Sequence, residues 1–158
     1  MNEATSDVSD KLHPDVQYLE PVYKSYGAKT SFSGRIVTVK CYEDNSLVET
    51  ALRTNGKDSI LVIDAGGSMN CAMLGDKRVT DAINNEWEGI LVYGLIRDSA
   101  TINKMEIGVR ALGVCPLKSV KNGTGDSNLT VNFSGVTFTP GQYLYADEDG
   151  VIVVKEKL

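Results

Sequence analysis

The sequence predicts a single domain of α/β or α+β class, and three observations carry that expectation. A chain of 158 residues can close one hydrophobic core without disulfide or metal support. Residues 60–98 read as strand, glycine-rich loop, helix and strand, which together make a βαβ unit. From residue 129 onward, short strand patterns follow one another between turn signals, so the second half is mainly β.

Taken in order, residues 1–15 form a polar N-terminal segment of the one domain, residues 1–158. Val16, Leu19, Val22 and Tyr23 suggest a short amphipathic segment broken by Pro21. Gly27 and Gly34 bracket a turn or strand around Phe32. Residues 36–42 alternate, Val37, Val39 and Cys41 against Thr38 and Lys40, as a half-buried strand does. Asp44 or Asn45 can cap a helix whose apolar face is Leu47, Val48, Ala51 and Leu52, and Asn55-Gly56 ends it.

In the central unit, the apolar run 60–64 closes at Asp64 and the Ala65-Gly66-Gly67 loop, as a buried strand would. From Asp76, the residues Val79, Ala82, Ile83 and Trp87 recur at helical spacing until Gly89. Residues 90–96 are a second apolar run. Two such strands joined by a helix lie parallel, with a right-handed crossover. Residues 99–105 read as a helical turn or loop with Ile102 and Met105 facing inward. Residues 107–117 are apolar with interspersed glycines, and 118–128 form a polar loop whose Gly123-Thr124-Gly125 lacks phosphate-loop spacing. Strands then follow at 129–133, 136–139, 143–146 and 151–154.

Composition narrows the function classes. A net charge of −5 with scattered Lys and Arg argues against direct nucleic-acid binding, which rests on clustered basic residues. No apolar run reaches the length of a membrane span. The N-terminal MNEATSDVSDKLHPD lacks the basic and apolar regions of a secretory signal, so a cytoplasmic protein is expected. Cys41, Cys71 and Cys115 include no Cys-x-x-Cys pair and read as reduced, buried thiols. With His13 the only histidine, an ordinary zinc site is excluded.

The topology places three charged residues at one edge. In a βαβ unit the strand ends and the helix start share the carboxyl edge of the sheet, where ligands bind. Asp76 begins the helix, while Arg97 and Asp98 end the second strand. Neighbours in a regular strand point to opposite faces, so Arg97 and Asp98 share a site only if the chain turns there. A solvated ion pair and a simple N-cap are the plain alternatives for these residues.

The segment GDKRV followed by NEWEGILVYGLIRD resembles the family of the regulator of ribonuclease activity A. That family includes the class II 4-hydroxy-4-methyl-2-oxoglutarate aldolases. The likeness extends through LEPVYKSYG, FSGRIVTVKCYEDN, IDAGGSMNCAMLGD, IGVRALGVCP, VNFSGVTF and PGQYLYADEDGVIVV, nearly the whole chain. It implies a layered β/β/α sandwich of the swivelling type, an α/β fold that is usually a homotrimer. An Asp, twenty residues and then Arg-Asp is the signature of the metal-dependent members, kept here as Asp76, Arg97 and Asp98. Lys77 and Arg78 stand where the aldolases carry small apolar residues.

The implied reaction cleaves a carbon–carbon bond beside a 2-oxo group and leaves pyruvate enolate. Its site must hold a carboxylate and stabilise negative charge on the C2 oxygen. Residues Gly75, Asp76, Lys77 and Arg78 would bind the substrate carboxylate through N–H groups at a helix N-terminus, with Arg97 as a planar donor fork. Asp76 would orient a water or accept a proton. Asp98 would be the ligand of a divalent cation, Mg²⁺ or Mn²⁺. The expected function is thus a lyase, aldolase or oxaloacetate decarboxylase, acting on small 2-oxo acids. The alternative is a regulator that binds ribonuclease E or its associated helicases; VKCYEDN, NEWEG and VNFSGVTF look closest to that branch.

Overall fold

The computed structural model describes residues 3–158. Its elements are α1 (Thr5–Leu12), β1 (Gln17–Tyr18), β2 (Lys24–Tyr26), β3 (Phe32–Lys40), α2 (Ser46–Leu52), β4 (Ser59–Asp64), β5 (Ala72–Leu74), α3 (Asp76–Asn84), β6 (Gly89–Ile96), α4 (Ser99–Ile102), β7 (Gly108–Val114), β8 (Asp126–Ser127), β9 (Val131–Phe133), β10 (Val136–Phe138), β11 (Tyr143–Asp147) and β12 (Gly150–Val154). The main sheet runs β1-β12-β11-β3-β4-β6-β7-β2, with β5 paired to β6 and β8 to β3; β9 and β10 form a separate hairpin.

The centre of that sheet, β3-β4-β6-β7, is parallel. Alternation along its strands feeds two cores. Leu61, Ile63, Ile90 and Val92 pack with Val48, Leu52, Val79 and Ala82 of α2 and α3. Ile60, Val62 and Leu91 face the other way, onto Phe133 and Phe138 of the hairpin and Leu144 and Val153 of β11 and β12. Both faces are therefore covered, which is why β4 and β6 read as unbroken apolar runs. The sheet curls so that its antiparallel end closes over the second core. Helices on one face and antiparallel strands on the other give the α/β, β/β/α layering of the expected fold. Each fully buried Leu or Ile contributes about 1.5–3 kcal/mol.

Several expectations need correction. Only residues 36–39 of the alternating stretch 36–42 are covered on both faces: Ile36 sits in the hairpin core and buried Thr38 donates to the Leu129 carbonyl at 2.6 Å. Lys40 and Tyr42 stay exposed, as a half-buried strand requires, and the strand ends at Lys40. The central helix ends at Asn84, not Gly89, because Glu86 takes a left-handed φ of 66°. Trp87 lies beyond the helix, buried, with its indole N–H on the Thr54 carbonyl at 3.1 Å. The polar segment 1–15 contains α1, docked where the Thr5 N–H and hydroxyl both donate to Asp147. Residues 16–23 hold β1 rather than an amphipathic unit, and Cys115 is partly exposed while the other two thiols are buried.

Candidate active site

The site begins with β5, a three-residue strand that the sequence hides. It leaves Gly75 as N-cap of α3 and Asp76 as the first helical residue, so Asp76 is not the N-cap. The Arg97 N–H donates to the Leu74 carbonyl at 2.9 Å. This pins the end of β6 beside the start of α3. The chain turns immediately afterwards: Asp98 adopts φ 57°, ψ 35°, a left-handed conformation. For a non-glycine residue that costs about 1 kcal/mol, and such strain gathers at functional sites. The turn brings Arg97 and Asp98 into one cleft, the condition their adjacency imposed.

Asp98 then caps a helix that is not its own. Its Oδ2 accepts the Asp76 N–H at 3.0 Å, and the Arg97 Nε lies 4.0 Å from the same oxygen. Both side chains stay more than a third exposed. The first-turn N–H groups of Lys77 and Arg78 have no intrahelical partner and add to a positive helix end. Gly75 is needed for the close approach, since a Cβ there would stand 2.8 Å from Asp98 Oδ2 and 3.4 Å from Arg97 Cγ.

All six residues singled out from the sequence, Gly75, Asp76, Lys77, Arg78, Arg97 and Asp98, line one cleft of about 370 Å³. That volume suits a small molecule. Its charged lining is Lys77, Arg78, Arg97, Lys118 and Lys121 against Glu49, Asp76 and Asp98. A net-positive cleft in a chain of charge −5 concentrates anions. Arg78 differs from the others: its guanidinium is mostly buried and paired with Glu49 and Asp81. Lys121 is likewise tied to Glu49 at 2.6 Å and to Asn45 at 2.9 Å. What Arg78 can give a ligand is its backbone N–H.

Sequence reasoning missed the far wall, Lys118, Ser119 and Lys121. No local pattern marks it, because it arrives by long-range pairing. The Ala72 N–H donates to the Leu117 carbonyl at 2.7 Å, and the Ser119 N–H to the Ala72 carbonyl at 3.1 Å. Asp44 holds the following loop. Its carboxylate accepts from the Ser46 N–H and hydroxyl, the Asn122 N–H, and the Thr124 N–H and hydroxyl, at 2.6–3.1 Å. The Ser46 hydroxyl, foremost, with the Ser46 and Thr124 donors, holds Asp44 well below the usual carboxylate range against an opposing cost of desolvation.

Among the described residues no group of three or more His, Cys, Asp or Glu side chains could cage a metal. Asp98 lines the cleft and offers one carboxylate, whose Oδ1 accepts no hydrogen bond among the described residues. That donor set fits a hard cation that keeps most of its shell as water or substrate oxygens, as Mg²⁺ does, and does not fit zinc.

Residues 5–153 match the RraA-like family, described as Aldolase/RraA. A relative from Aromatoleum aromaticum is 51% identical over 158 residues, covering 100% of this chain and 99% of its own. It is provisionally named 4-hydroxy-4-methyl-2-oxoglutarate aldolase. A Thermus structure described as the RNA-processing inhibitor RraA superposes with a TM-score of 0.96 at 37% identity, covering 100% and 96% of the two chains. A Geobacillus kaustophilus structure described as an S-adenosylmethionine:2-dimethylmenaquinone methyltransferase gives 0.96 at 44% identity, covering 99% and 97%. By the family match over residues 5–153 and the full-length relative, the chain belongs to the RraA-like family.

Proposed function

We propose that this protein is a divalent-metal-dependent lyase acting on small 2-oxo acids. It would cleave 4-hydroxy-4-methyl-2-oxoglutarate by a retro-aldol reaction and decarboxylate oxaloacetate. The observation that carries the reading is the junction of β5, α3 and β6. There, Asp98 caps the helix at the Asp76 N–H while Arg97 stands beside it in a cationic cleft. The name of the Aromatoleum relative supports the same chemistry.

In the retro-aldol reaction the C3–C4 bond breaks, the C4 hydroxyl gives up its proton, and the electron pair passes through C3 to the C2 oxygen. Protonation at C3 then completes pyruvate. In oxaloacetate the same bond breaks and carbon dioxide leaves. Backbone N–H groups at the start of α3 bind the C1 carboxylate. Arg97 places its donor fork against the carboxylate or the C2 oxygen, where charge grows. Asp76 accepts the hydroxyl proton. Asp98 would hold Mg²⁺ or Mn²⁺, which when bound supplies Lewis-acid stabilisation of charge at the C2 oxygen.

The family resemblance supports a homotrimer, and exposed Met69, Val114, Leu117 and Val120 are apolar surface that another copy would cover. Three free cysteines, Cys41, Cys71 and Cys115, support a reducing, cytoplasmic location. The test is direct: purified protein with Mg²⁺ or Mn²⁺ should convert oxaloacetate to pyruvate faster than metal alone, and chelator should abolish the excess. No excess across a panel of 2-oxo acids at saturating metal refutes the lyase.

A second reading is favoured by the Thermus match: a regulator that binds ribonuclease E or its associated helicases. With a net charge of −5, it would meet basic protein segments rather than RNA. It should lower ribonuclease E cleavage of a model RNA without binding that RNA; tight, salt-sensitive RNA binding contradicts it.

A further inference from the structure

Ser119 is the unexplained group in the cleft. It lines the cavity, is 7% exposed, and its buried hydroxyl has no hydrogen-bond partner among the described residues. A buried hydroxyl without a protein partner is destabilising, and at the cleft wall it is available to an acceptor that enters the cavity. Its neighbour Lys118 is exposed on the same wall and has no ion pair among the described residues, unlike Lys121 and Arg78.

Position makes these residues complementary to the catalytic end. β5 pairs with β6 on one edge, through Ala72–Leu95 and Leu74–Ile96, and with the 117–119 segment on the other. Arg97 and Ser119 thus approach the cleft from strands on either side of β5, two strand spacings, or about 10 Å, apart across the sheet. Side chains reaching inward from both leave room for a short, doubly charged chain lying across β5.

We propose that Ser119 and Lys118 form a distal subsite for the second carboxylate of a dicarboxylic 2-oxo acid. This inference rests on the lyase reading for the orientation of the substrate, with its 2-oxo end at Arg97. The Ser119 hydroxyl donates to the distal carboxylate, and the Lys118 ammonium supplies the opposing charge. The subsite selects dicarboxylates over monocarboxylates of the same length and takes no part in bond cleavage.

The test is calorimetric binding of 2-oxoglutarate, which lacks the C4 hydroxyl and cannot undergo retro-aldol cleavage, against 2-oxopentanoate, the same chain without the distal carboxylate. Both are titrated with Mg²⁺ present. The wild-type protein should bind 2-oxoglutarate at least ten-fold more tightly. Ser119→Ala and Lys118→Gln should each shrink that preference three- to ten-fold, leaving 2-oxopentanoate affinity within two-fold. Lys118 is exposed, so its substitution leaves the fold intact even if Ser119→Ala does not. Absence of any preference in the wild-type protein, or equal weakening of both ligands in both variants, overturns the subsite. Turnover without preference removes the subsite and leaves the lyase standing; preference without turnover does the reverse.

Discussion

Gly75→Ala separates the architecture of the site from the stability of the fold. The backbone at Gly75 has φ −132° and ψ −174°, extended values that alanine adopts freely. The new methyl would lie 2.8 Å from Asp98 Oδ2, about 0.5 Å inside ordinary contact. Asp98 is partly exposed and its carboxylate is free to swing away, so the cost falls on the hydrogen bond to the Asp76 N–H. A charge-assisted hydrogen bond contributes about 1.5–3 kcal/mol, less where water replaces it. We expect a loss of about 1 kcal/mol, a fall of about 2–4 °C in Tm. A carboxylate displaced by about 1 Å should cost on the order of 100-fold in kcat/KM. Steady-state pyruvate production and a melting curve check both. Wild-type turnover in this variant would refute the claim that the Asp98 position matters. A Tm fall beyond about 10 °C would show that Gly75 serves the fold instead.

Arg97→Lys keeps the charge but loses the planar fork, so pyruvate formation should drop about 10–100-fold while metal affinity, read by titration calorimetry, stays unchanged. Asp44→Ala removes the acceptor of five donors and should cost about 2–4 kcal/mol by urea unfolding. Because the folded protein holds the Asp44 carboxyl below its ordinary value, its contribution is complete above about pH 4 and is lost as pH falls further. Acid titration of stability should therefore show a steeper loss below that pH in the wild-type protein than in Asp44→Ala. Leu61→Ala, at a fully buried position of β4, should cost about 2–5 kcal/mol in the same assay.

The parallel centre of the fold was legible because burial on both faces writes unbroken apolar runs at residues 60–64 and 90–96. Helix α2 was legible through its apolar face, where Val48 and Leu52 are fully buried. The near side of the cleft followed from the βαβ topology, which brings Asp76 and Arg97 together across twenty residues. Helix α1 was hidden because Val8 is its one buried apolar residue, and its docking depends on Asp147, distant in sequence. Strand β5 is too short to show a period, and Leu74 and Ala72 gain meaning only through their partners in β6 and the 117–119 segment. Ser119 was hidden for the same reason. A lone serine in a polar loop carries no signal until pairing with Ala72 buries it. The turn at Asp98 lets Arg97 and Asp98 share a cleft but is announced by no glycine, since aspartate tolerates the left-handed region.

Whether the junction of α3 and β6 is a catalytic site is decided by Asp98→Asn. The substitution keeps shape and one carbonyl oxygen for the Asp76 N–H, and removes the charge that would hold a cation. With 4-hydroxy-4-methyl-2-oxoglutarate and Mg²⁺, the wild-type protein should yield two pyruvates per substrate consumed. Asp98→Asn should melt within a few degrees of wild type, bind Mg²⁺ far more weakly and lose nearly all turnover. Wild-type turnover in that variant would rule out a metal-holding Asp98 and leave Arg97 and Asp98 as an ordinary pair at a strand end.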